Sequence, residues 1–373
     1  MKVTVHTGRV YALLDTLVER WQKKQFPYNK VDAIIPQTII PEELRADKKA
    51  LATFYFYICI YMRGGIESLQ AFQALLRMRH DHPDCFDPFK ASKMGAESIQ
   101  IILKEYIGWD SKAASKNWAE NSWRLVWYWG GNPLELFKGI HDYEEALRRI
   151  RNKRTKADRL AAGHDGCGFL GFQPKMVSML VYFLDWEKLL KPRFPYPSPA
   201  DFHNFRLGLT TGGLEIPKRL RHIHTTEKLS APWRQVVMEY IVQKKADPVE
   251  VADALWLFSL VMCGNSPLMS VREAENGSGM FSEDVLPHIT DQGGYYLLPR
   301  FRNALEMTCL RCPIRDTCSL AIPSRPYYRK GLLVLRSRFL IENHRLTVHP
   351  DTPISRTPER VFETLSLLGP DTS

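Results

Sequence analysis

The segment Cys309-Leu-Arg-Cys312-Pro-Ile-Arg-Asp-Thr-Cys318 brings three thiols into one short stretch. It is the most informative segment for the predicted fold. Thiolates so closely spaced are natural ligands for zinc or for an iron–sulfur cluster, and either site needs a fourth ligand. The chain has 7 cysteines in all, and an odd number does not favour a framework of disulfide bonds. We therefore predict a structural metal or cluster site.

A fourth thiol stands at the end of the run Ala252-Asp-Ala-Leu-Trp-Leu-Phe-Ser-Leu-Val-Met-Cys263. A proline follows the second cysteine of the triplet, and an aspartate stands two residues before the last. With these residues, the cysteine pattern resembles that of the endonuclease III-like DNA glycosylases, the helix-hairpin-helix (HhH-GPD) superfamily. The family's usual position for the first cysteine is Arg302 here, so an insertion from Gly264 to Thr308 separates Cys263 from the triplet. The resemblance implies a [4Fe–4S] cluster with these ligands: Cys263, Cys309, Cys312 and Cys318.

Zinc is the alternative to the cluster, because zinc binds the same thiolates. His222 and His224 are then rivals of Cys263 for the fourth position. With either metal the site would hold a basic loop, which includes Arg311 and Arg315, against DNA phosphates.

A hairpin motif of the same superfamily matches at Phe169-Leu-Gly171-Phe-Gln173-Pro-Lys175, which resembles L-x-G-h-G-x-K. A glycine turn before a helix N-terminus offers backbone N–H groups to a phosphate. The resemblance implies DNA contacts from Gly171, Gln173 and Lys175. Because Gln173 replaces the family's second glycine, the backbone there is strained or the turn differs. A plain turn at a helix start is the alternative.

The segment Pro199-Ala-Asp201-Phe-His203-Asn-Phe-Arg206 resembles the family's V-D-x-H-x-x-R, whose aspartate is catalytic. The resemblance implies that Asp201 stabilises the positive charge that develops on the sugar as the base leaves. It also implies a nucleophilic amine at Lys175, for which phosphate contact is the alternative. Asp201 also suits a helix N-cap, and the two roles are compatible.

The formal net charge of +10 favours a polyanionic partner, although a merely basic protein is the alternative. Cations are dense between Arg148 and Arg159, and we predict phosphate contacts from Arg154 and Lys156. Arg63 precedes two glycines at the place in the sequence where the helix-hairpin-helix glycosylases have a wedge loop. The resemblance implies that Arg63 fills the gap that a flipped base leaves, with a plain glycine turn as the alternative.

Four aromatic residues form a separate group near the middle of the chain. They could stack on a flipped base, but their helical spacing is more typical of core packing. The four are Trp123, Trp127, Tyr128 and Trp129.

Helical periodicity dominates the chain and predicts an all-α protein with irregular insertions. The predicted helices include Glu43–Met62, Pro133–Ile150 and Val10–Trp21, the last with Val10, Leu13, Leu14, Leu17 and Trp21 on one face. The few predicted strands lie near Lys2–Val5, Tyr295–Leu298 and Leu332–Leu335. The resemblance implies the two-lobed helical fold of the helix-hairpin-helix glycosylases. We predict four regions: an N-terminal helical region, a glycosylase-like domain, an insertion with the cluster subdomain, and a tail. Their bounds are residues 1–131, 132–262, 263–346 and 347–373.

The sequence shows no uninterrupted apolar run long enough to cross a bilayer, and Met1 to Val10 lacks the apolar region of a signal peptide. We therefore expect a cytoplasmic protein without membrane contact. Its expected partner is double-stranded DNA, which it would bind as a monomer.

The resemblance implies an enzyme, a DNA N-glycosylase that excises a modified base and leaves an abasic site, with an associated lyase step if Lys175 attacks. A hypermodified base such as glucosylated hydroxymethylcytosine, excised in defence against phages, fits the divergent motifs. One alternative is a transferase similar to the α-glutamyl/putrescinyl-thymine pyrophosphorylases, which act on phage DNA. The other is a non-catalytic DNA-binding iron–sulfur module.

Overall fold

The computed structural model describes five long stretches of the chain and several short ones. The long stretches are 3–62, 67–107, 111–153, 168–215 and 229–263. The short ones are 222–224, 288–289, 295–297, 308, 311–318, 327–329, 332–335, 339–342 and 345–348. The chain forms two compact units. The first unit comprises Met1–Asn29, Ala200–Tyr240 and Asp253–Ser373, and the second comprises Lys30–Pro199 and Ile241–Ala252.

The described residues are mostly helical, as the sequence predicts. The α-helices are α1 (Thr7–Gln22), α2 (Glu42–Ala46), α3 (Lys48–Tyr61), α4 (Ser68–Asp81), α5 (Pro88–Ile107), α6 (Ser111–Trp129), α7 (Tyr143–Ile150), α8 (Pro174–Trp186), α9 (Phe202–Thr210), α10 (Ser230–Lys244) and α11 (Pro248–Phe258). A π-helical turn, Ser259–Cys263, extends α11. Short 3₁₀ turns lie at Tyr28–Lys30, Asp32–Ile34, Pro36–Ile39, Pro83–Phe86, Pro133–Phe137 and Arg315–Thr317.

Two runs that read as single helices in the sequence are each divided by an aspartate. The expectation of one helix from Glu43 to Met62 is wrong, because Asp47 has an extended backbone and its side chain accepts hydrogen bonds from the first N–H groups of α3. Asp142 likewise caps α7 and separates it from the 3₁₀ turn at Pro133–Phe137. Such a cap starts a new helix wherever its carboxylate satisfies the otherwise unpaired N–H groups.

The described strands are short and all belong to the first unit. They are β1 (Thr4–Val5), β2 (Leu214–Glu215), β3 (His222–His224), β4 (His288–Ile289), β5 (Tyr295–Leu297), β6 (Tyr327–Arg329), β7 (Leu332–Leu335), β8 (Phe339–Glu342) and β9 (Arg345–Val348). All pairs are antiparallel, in the orders β1-β2, β3-β9-β8 and β4-β5-β7-β6. Strands predicted near Lys2–Val5, Tyr295–Leu298 and Leu332–Leu335 are confirmed as β1, β5 and β7.

The core of the second unit is built around α3, which is buried on every side from Leu51 to Tyr61. A helix that is apolar all round is stable only when other elements enclose it. Tyr57 stacks on Trp118 of α6 with ring centroids 4.2 Å apart and an interplanar angle of 6°. The Trp118 indole donates to the Cys85 carbonyl at 2.7 Å. These contacts fix α6 against the core, and α6 in turn positions the hairpin described below.

Where the structure describes the chain, its helices are all too short or too polar to cross a membrane.

Candidate functional site

The predicted hairpin is a tight turn that leads directly into α8 in the second unit. The Phe172 N–H donates to the Phe169 carbonyl at 3.1 Å, and Gly171 between them has a φ of 83°. Such a left-handed φ favours glycine. Gln173 has an ordinary extended backbone, with φ −103° and ψ 172°, and precedes Pro174 at the start of α8. The strain considered for Gln173 is therefore absent, because the left-handed conformations of this turn fall on glycines, Gly168 with a φ of 69° and Gly171.

Backbone hydrogen bonds tie this turn to the end of α7. The Asn152 N–H donates to the Phe172 carbonyl at 2.9 Å, and the Phe169 N–H donates to the Ile150 carbonyl at 3.1 Å. The described residues on either side of the stretch 154–167 are therefore neighbours in space. Arg154 and Lys156, the predicted phosphate contacts, fall within that stretch and outside the described residues.

Two side chains of α6 hold the turn from the other side. The Asn121 amide pairs with both backbone groups of Leu170: its Oδ1 accepts from the N–H at 2.7 Å, and its Nδ2 donates to the carbonyl at 2.9 Å. Asn121 is fully buried. Arg124 donates from Nη1 to the Gly168 carbonyl at 2.8 Å and pairs with Glu120. Sequence reasoning missed these residues, since Asn121 is one of several polar residues on the buried face of α6, among them Asn117 and Ser122.

We expect the Asn121→Ala substitution to lower the free energy of unfolding by about 2 kcal/mol or more, because the substitution leaves the N–H and the carbonyl of Leu170 without their partner. Urea denaturation followed by circular dichroism measures the change. The exposed Lys116→Ala variant on the same helix is the control, and its free energy of unfolding should change by less than about 0.5 kcal/mol. Equal effects of the two substitutions would contradict the role of Asn121.

Lys175 lies on the first turn of α8 and is half-buried. Burial raises the pKa of the Cys59 thiol, and the Lys175 ammonium opposes that shift. The Lys175 amine therefore lies near Cys59, close to the C-terminal end of α3. Arg63, the predicted wedge residue, follows α3 in the chain and lies outside the described residues.

Asp201 belongs to the first unit and is the N-cap of α9, which confirms the capping role considered from the sequence. Its Oδ1 accepts from the backbone N–H groups of His203 at 3.0 Å and Asn204 at 3.3 Å. The Asn204 amide nitrogen also donates to Oδ1 at 3.2 Å. Three donors thus fix the carboxylate, and its chemical role stays a prediction.

The residues that fix Asp201 are themselves held by two neighbouring elements. The Trp233 indole N–H of α10 donates to the Asn204 Oδ1 at 3.0 Å, and both residues are buried. The His203 Nδ1 lies 3.1 Å from the Ser259 hydroxyl, in the π-helical turn after α11. The sequence motif included His203 but gave no indication of Trp233 or Ser259, which lie far along the chain.

The predicted cluster ligands lie in the first unit, apart from Cys309, which is outside the described residues. Cys263 ends the π-helical turn, a local irregularity that is frequent at functional sites. Burial raises the pKa of Tyr28 well above its usual value, and the thiols of Cys312 and Cys263 add to that shift, as does Asp253. Cys263 and Cys312 therefore both lie near the Tyr28 phenol, although they are distant in sequence.

The cysteine loop, residues 311–318, is anchored beside Tyr28 by its own side chains. Arg311 places its guanidinium 5.2 Å from the centre of the Phe26 ring, and Ile314 is buried. The Tyr28 hydroxyl donates to the Ala254 carbonyl of α11 at 2.8 Å. The loop and the helix that leads to Cys263 thus share one neighbour.

The described cysteines form no disulfide bond among themselves. Within the described part of the chain, no three His, Cys, Asp or Glu side chains form a metal-binding group. The thiols of Cys263 and Cys312, which both raise the pKa of Tyr28, have the donor chemistry that an iron–sulfur cluster or zinc requires. Which metal binds, and with which ligands, stays a prediction.

The aromatic group on α6 does not pack as its spacing indicated. Trp127 is 71% exposed, Trp123 is 44% exposed and Tyr128 is 41% exposed, so the expectation of core packing is wrong for these three. The Trp123 and Trp127 rings stack on each other with centroids 5.7 Å apart and an interplanar angle of 12°. Trp129 packs partly against the core, where Trp118 is the buried tryptophan of this helix.

Comparison of the chain with known protein families and with curated proteins gives no match. The chain's own residues are therefore the basis of its proposed function. These form one set around the hairpin in the second unit and another around Asp201 and the thiols in the first unit.

Proposed function

We propose that the protein is a DNA N-glycosylase that excises a modified base from double-stranded DNA. The observation that carries the proposal is the chain of hydrogen bonds from Trp233 through Asn204 to Asp201, which holds a carboxylate in one position. A fixed carboxylate costs little reorganisation when positive charge develops beside it. Its place in the sequence, after a hairpin and before a cysteine cluster, matches the order in the helix-hairpin-helix glycosylases.

In this reaction the bond between the sugar C1′ and the base nitrogen breaks, and the oxygen of a water molecule bonds to C1′. The sugar becomes positively charged on the way, and the Asp201 carboxylate stabilises that charge. Asp201 also accepts a proton from the attacking water, and the base leaves with the electron pair of the broken bond. The base must first leave the duplex stack, since its glycosidic bond is inaccessible there.

The hairpin is the proposed phosphate-binding element. Pro174 at the start of α8 has no N–H and the Met176 N–H donates to the Gln173 carbonyl, so the anion would be attracted by the positive end of the helix dipole and by the half-buried Lys175. The buried Nε2 of Gln173 meets no acceptor among the residues that the structure describes. A buried donor without an acceptor is costly, so a phosphate oxygen at this point would stabilise the turn. We assign further phosphate contacts to Arg154 and Lys156, and the wedge to Arg63.

The [4Fe–4S] cluster is proposed as a structural group of the first unit. Its proposed ligands are Cys263, Cys309, Cys312 and Cys318. When bound, the cluster would link the end of α11 to the cysteine loop. That loop carries Arg311 and Arg315, whose guanidinium groups suit DNA phosphates. We propose that the active protein is monomeric and cytoplasmic.

Excision is tested by incubating the protein with DNA that contains plain, methylated, hydroxymethylated or glucosyl-hydroxymethylated bases, and by counting abasic sites. We expect abasic sites with one of the modified bases, and the glucosylated base would favour a role in defence against phages. If every substrate binds and none yields abasic sites, glycosylase activity on these bases is refuted. A transfer activity of the pyrophosphorylase type would then be tested with activated hydroxymethyluracil.

The lyase step is tested separately with the Lys175→Gln variant. If the Lys175 amine attacks C1′ and forms a Schiff base, strand breaks at abasic sites should disappear in this variant, while abasic sites still form. Borohydride, which traps a Schiff base, should link the wild-type protein to DNA and leave the variant unlinked. Unchanged strand breakage would restrict Lys175 to phosphate contact.

A DNA-binding module without catalysis is the second candidate, and one observation favours it. The three hydrogen bonds that Asp201 Oδ1 accepts account for an aspartate at this position by helix capping alone. In that case DNA binding would persist while no substrate loses a base.

A further inference from the structure

The exposed face of α6 combines a stacked aromatic pair with positive charge. Trp123 and Trp127 stand one helical turn apart and share this face with Lys112 and Lys116, which are exposed. Glu120 is the one acidic residue in α6, and its carboxylate pairs with Arg124 at 2.8 Å. The face from Lys112 to Trp127 is roughly 22 Å long at the rise of an α-helix. A positively charged strip that ends in flat rings suits a ligand with both phosphates and planar bases.

The exposure of these rings distinguishes them from the other large aromatics of the helix. Trp127 leaves 71% of its surface in solvent, whereas Trp118 on the opposite face is fully buried. An exposed pair of parallel indoles presents flat outer surfaces to a planar ligand, which can extend the stack. Burying so much apolar surface under a ligand is favourable, and leaving it in water is not.

Helix α6 also holds the hairpin, so the hairpin and the aromatic pair have a fixed spatial relation. Asn121 and Arg124 bind the backbone of Leu170 and Gly168, and Trp123 lies between them in sequence on the exposed side. All of these residues belong to the second unit. A nucleic acid whose phosphates contact the hairpin would therefore have the aromatic pair within reach of its neighbouring nucleotides.

We propose that Trp123 and Trp127 form a stacking platform for the bases of an unpaired DNA strand. Bases inside a duplex already stack on each other and expose only their edges, so away from duplex ends an indole face can stack only on a base that is unpaired. The aromatic rings hold the bases, and Lys112 and Lys116 attract the phosphates of the same strand. This inference takes DNA as the partner from the proposed function, but it does not depend on base excision.

The test measures binding of labelled oligothymidine and of a blunt duplex by fluorescence anisotropy. For the double variant Trp123→Leu/Trp127→Leu we expect the affinity for oligothymidine to fall about tenfold or more. Its affinity for the blunt duplex should change by less than about twofold. The slope of affinity against salt concentration should stay the same, because the lysines remain.

The matched control is Trp123→Phe/Trp127→Phe, which keeps a flat ring at each position. We expect it to retain most of the affinity for oligothymidine, whereas leucine, of similar apolar character, does not. Ile101→Ala, which removes another exposed apolar side chain from the neighbouring α5, should have no effect. All of these positions are exposed, so the variants are expected to fold, and thermal unfolding checks that they do.

Several outcomes would overturn the platform. Retention of oligothymidine affinity in the leucine variant, equal to that in the phenylalanine variant, would show a general apolar contact. Equal losses on single strand and duplex would show that unpaired bases are not the ligand. A change in oligomeric state with unchanged DNA affinity would assign the face to a second copy of the chain. Excision is scored by abasic sites and the platform by oligothymidine affinity, so failure of excision and failure of the platform are separate results.

Discussion

Asp201→Asn is expected to reduce base excision about a hundredfold or more while the protein stays folded. The amide cannot stabilise positive charge on the sugar as the carboxylate does. Asparagine is nearly as good an N-cap as aspartate, so its oxygen can still accept from the N–H groups of His203 and Asn204. The rate of abasic-site formation on the preferred substrate measures the loss, and thermal unfolding measures the stability.

The matched control for this variant is Asp47→Asn. Asp47 caps α3 in the same manner, and its Oδ1 accepts from the N–H groups of Lys49 and Ala50, each at 3.0 Å. It is assigned no chemistry, so excision should continue at the wild-type rate. If Asp201→Asn also excises at that rate, Asp201 is a cap alone and the mechanism proposed above is wrong.

Cys312→Ser is expected to remove the bound iron and to lower the melting temperature by about 10 °C or more. The binding energy of a structural metal group is also folding energy, so its loss destabilises the elements that it joins. The wild-type protein, purified without oxygen, should contain about four iron atoms and as many sulfides per chain. Iron and sulfide analysis of both proteins, with calorimetry, measures the effect.

The identity of the fourth ligand is tested by comparing two further cysteine variants. Cys263→Ser should lower the iron content as Cys312→Ser does, whereas Cys59→Ala, at a buried thiol in the second unit, should not. Stable iron in Cys263→Ser would remove Cys263 from the ligand set. Zinc in place of iron, together with loss of metal in His222→Ala or His224→Ala, would support the alternative site.

Hydrophobic periodicity predicted α1 well, because one face of that helix packs inward along its whole length. Val10, Leu13, Leu14, Leu17 and Trp21 are all buried, as expected. It missed the starts of α3 and α7, since Asp47 and Asp142 interrupt the helices without interrupting the apolar pattern. A cap acts through local hydrogen bonds, and the pattern of apolar residues contains no information about them.

Residues of the candidate site were predictable only where a local motif holds them. The turn at Gly171 and the cap at Asp201 depend on a few neighbouring residues, and both were identified. The supports of these motifs, Asn121 and Trp233, come from distant parts of the chain and belong to no recognisable pattern. The exposure of Trp127 was also unpredictable, since an aromatic residue at helical spacing fits a core as well as a surface.

The hydrogen bonds that join the end of α7 to the turn before α8 also bear on how far the length of the sequence between these two elements can change. Asn152 is bonded to Phe172, and Ile150 to Phe169, so the described backbone before residue 154 is joined directly to that after residue 167. Lengthening a closed loop adds only about 0.6 kcal/mol for each doubling, so the turn itself would be little disturbed. We therefore expect the described hairpin to keep its shape when the sequence between Lys153 and Gly168 is lengthened or exchanged.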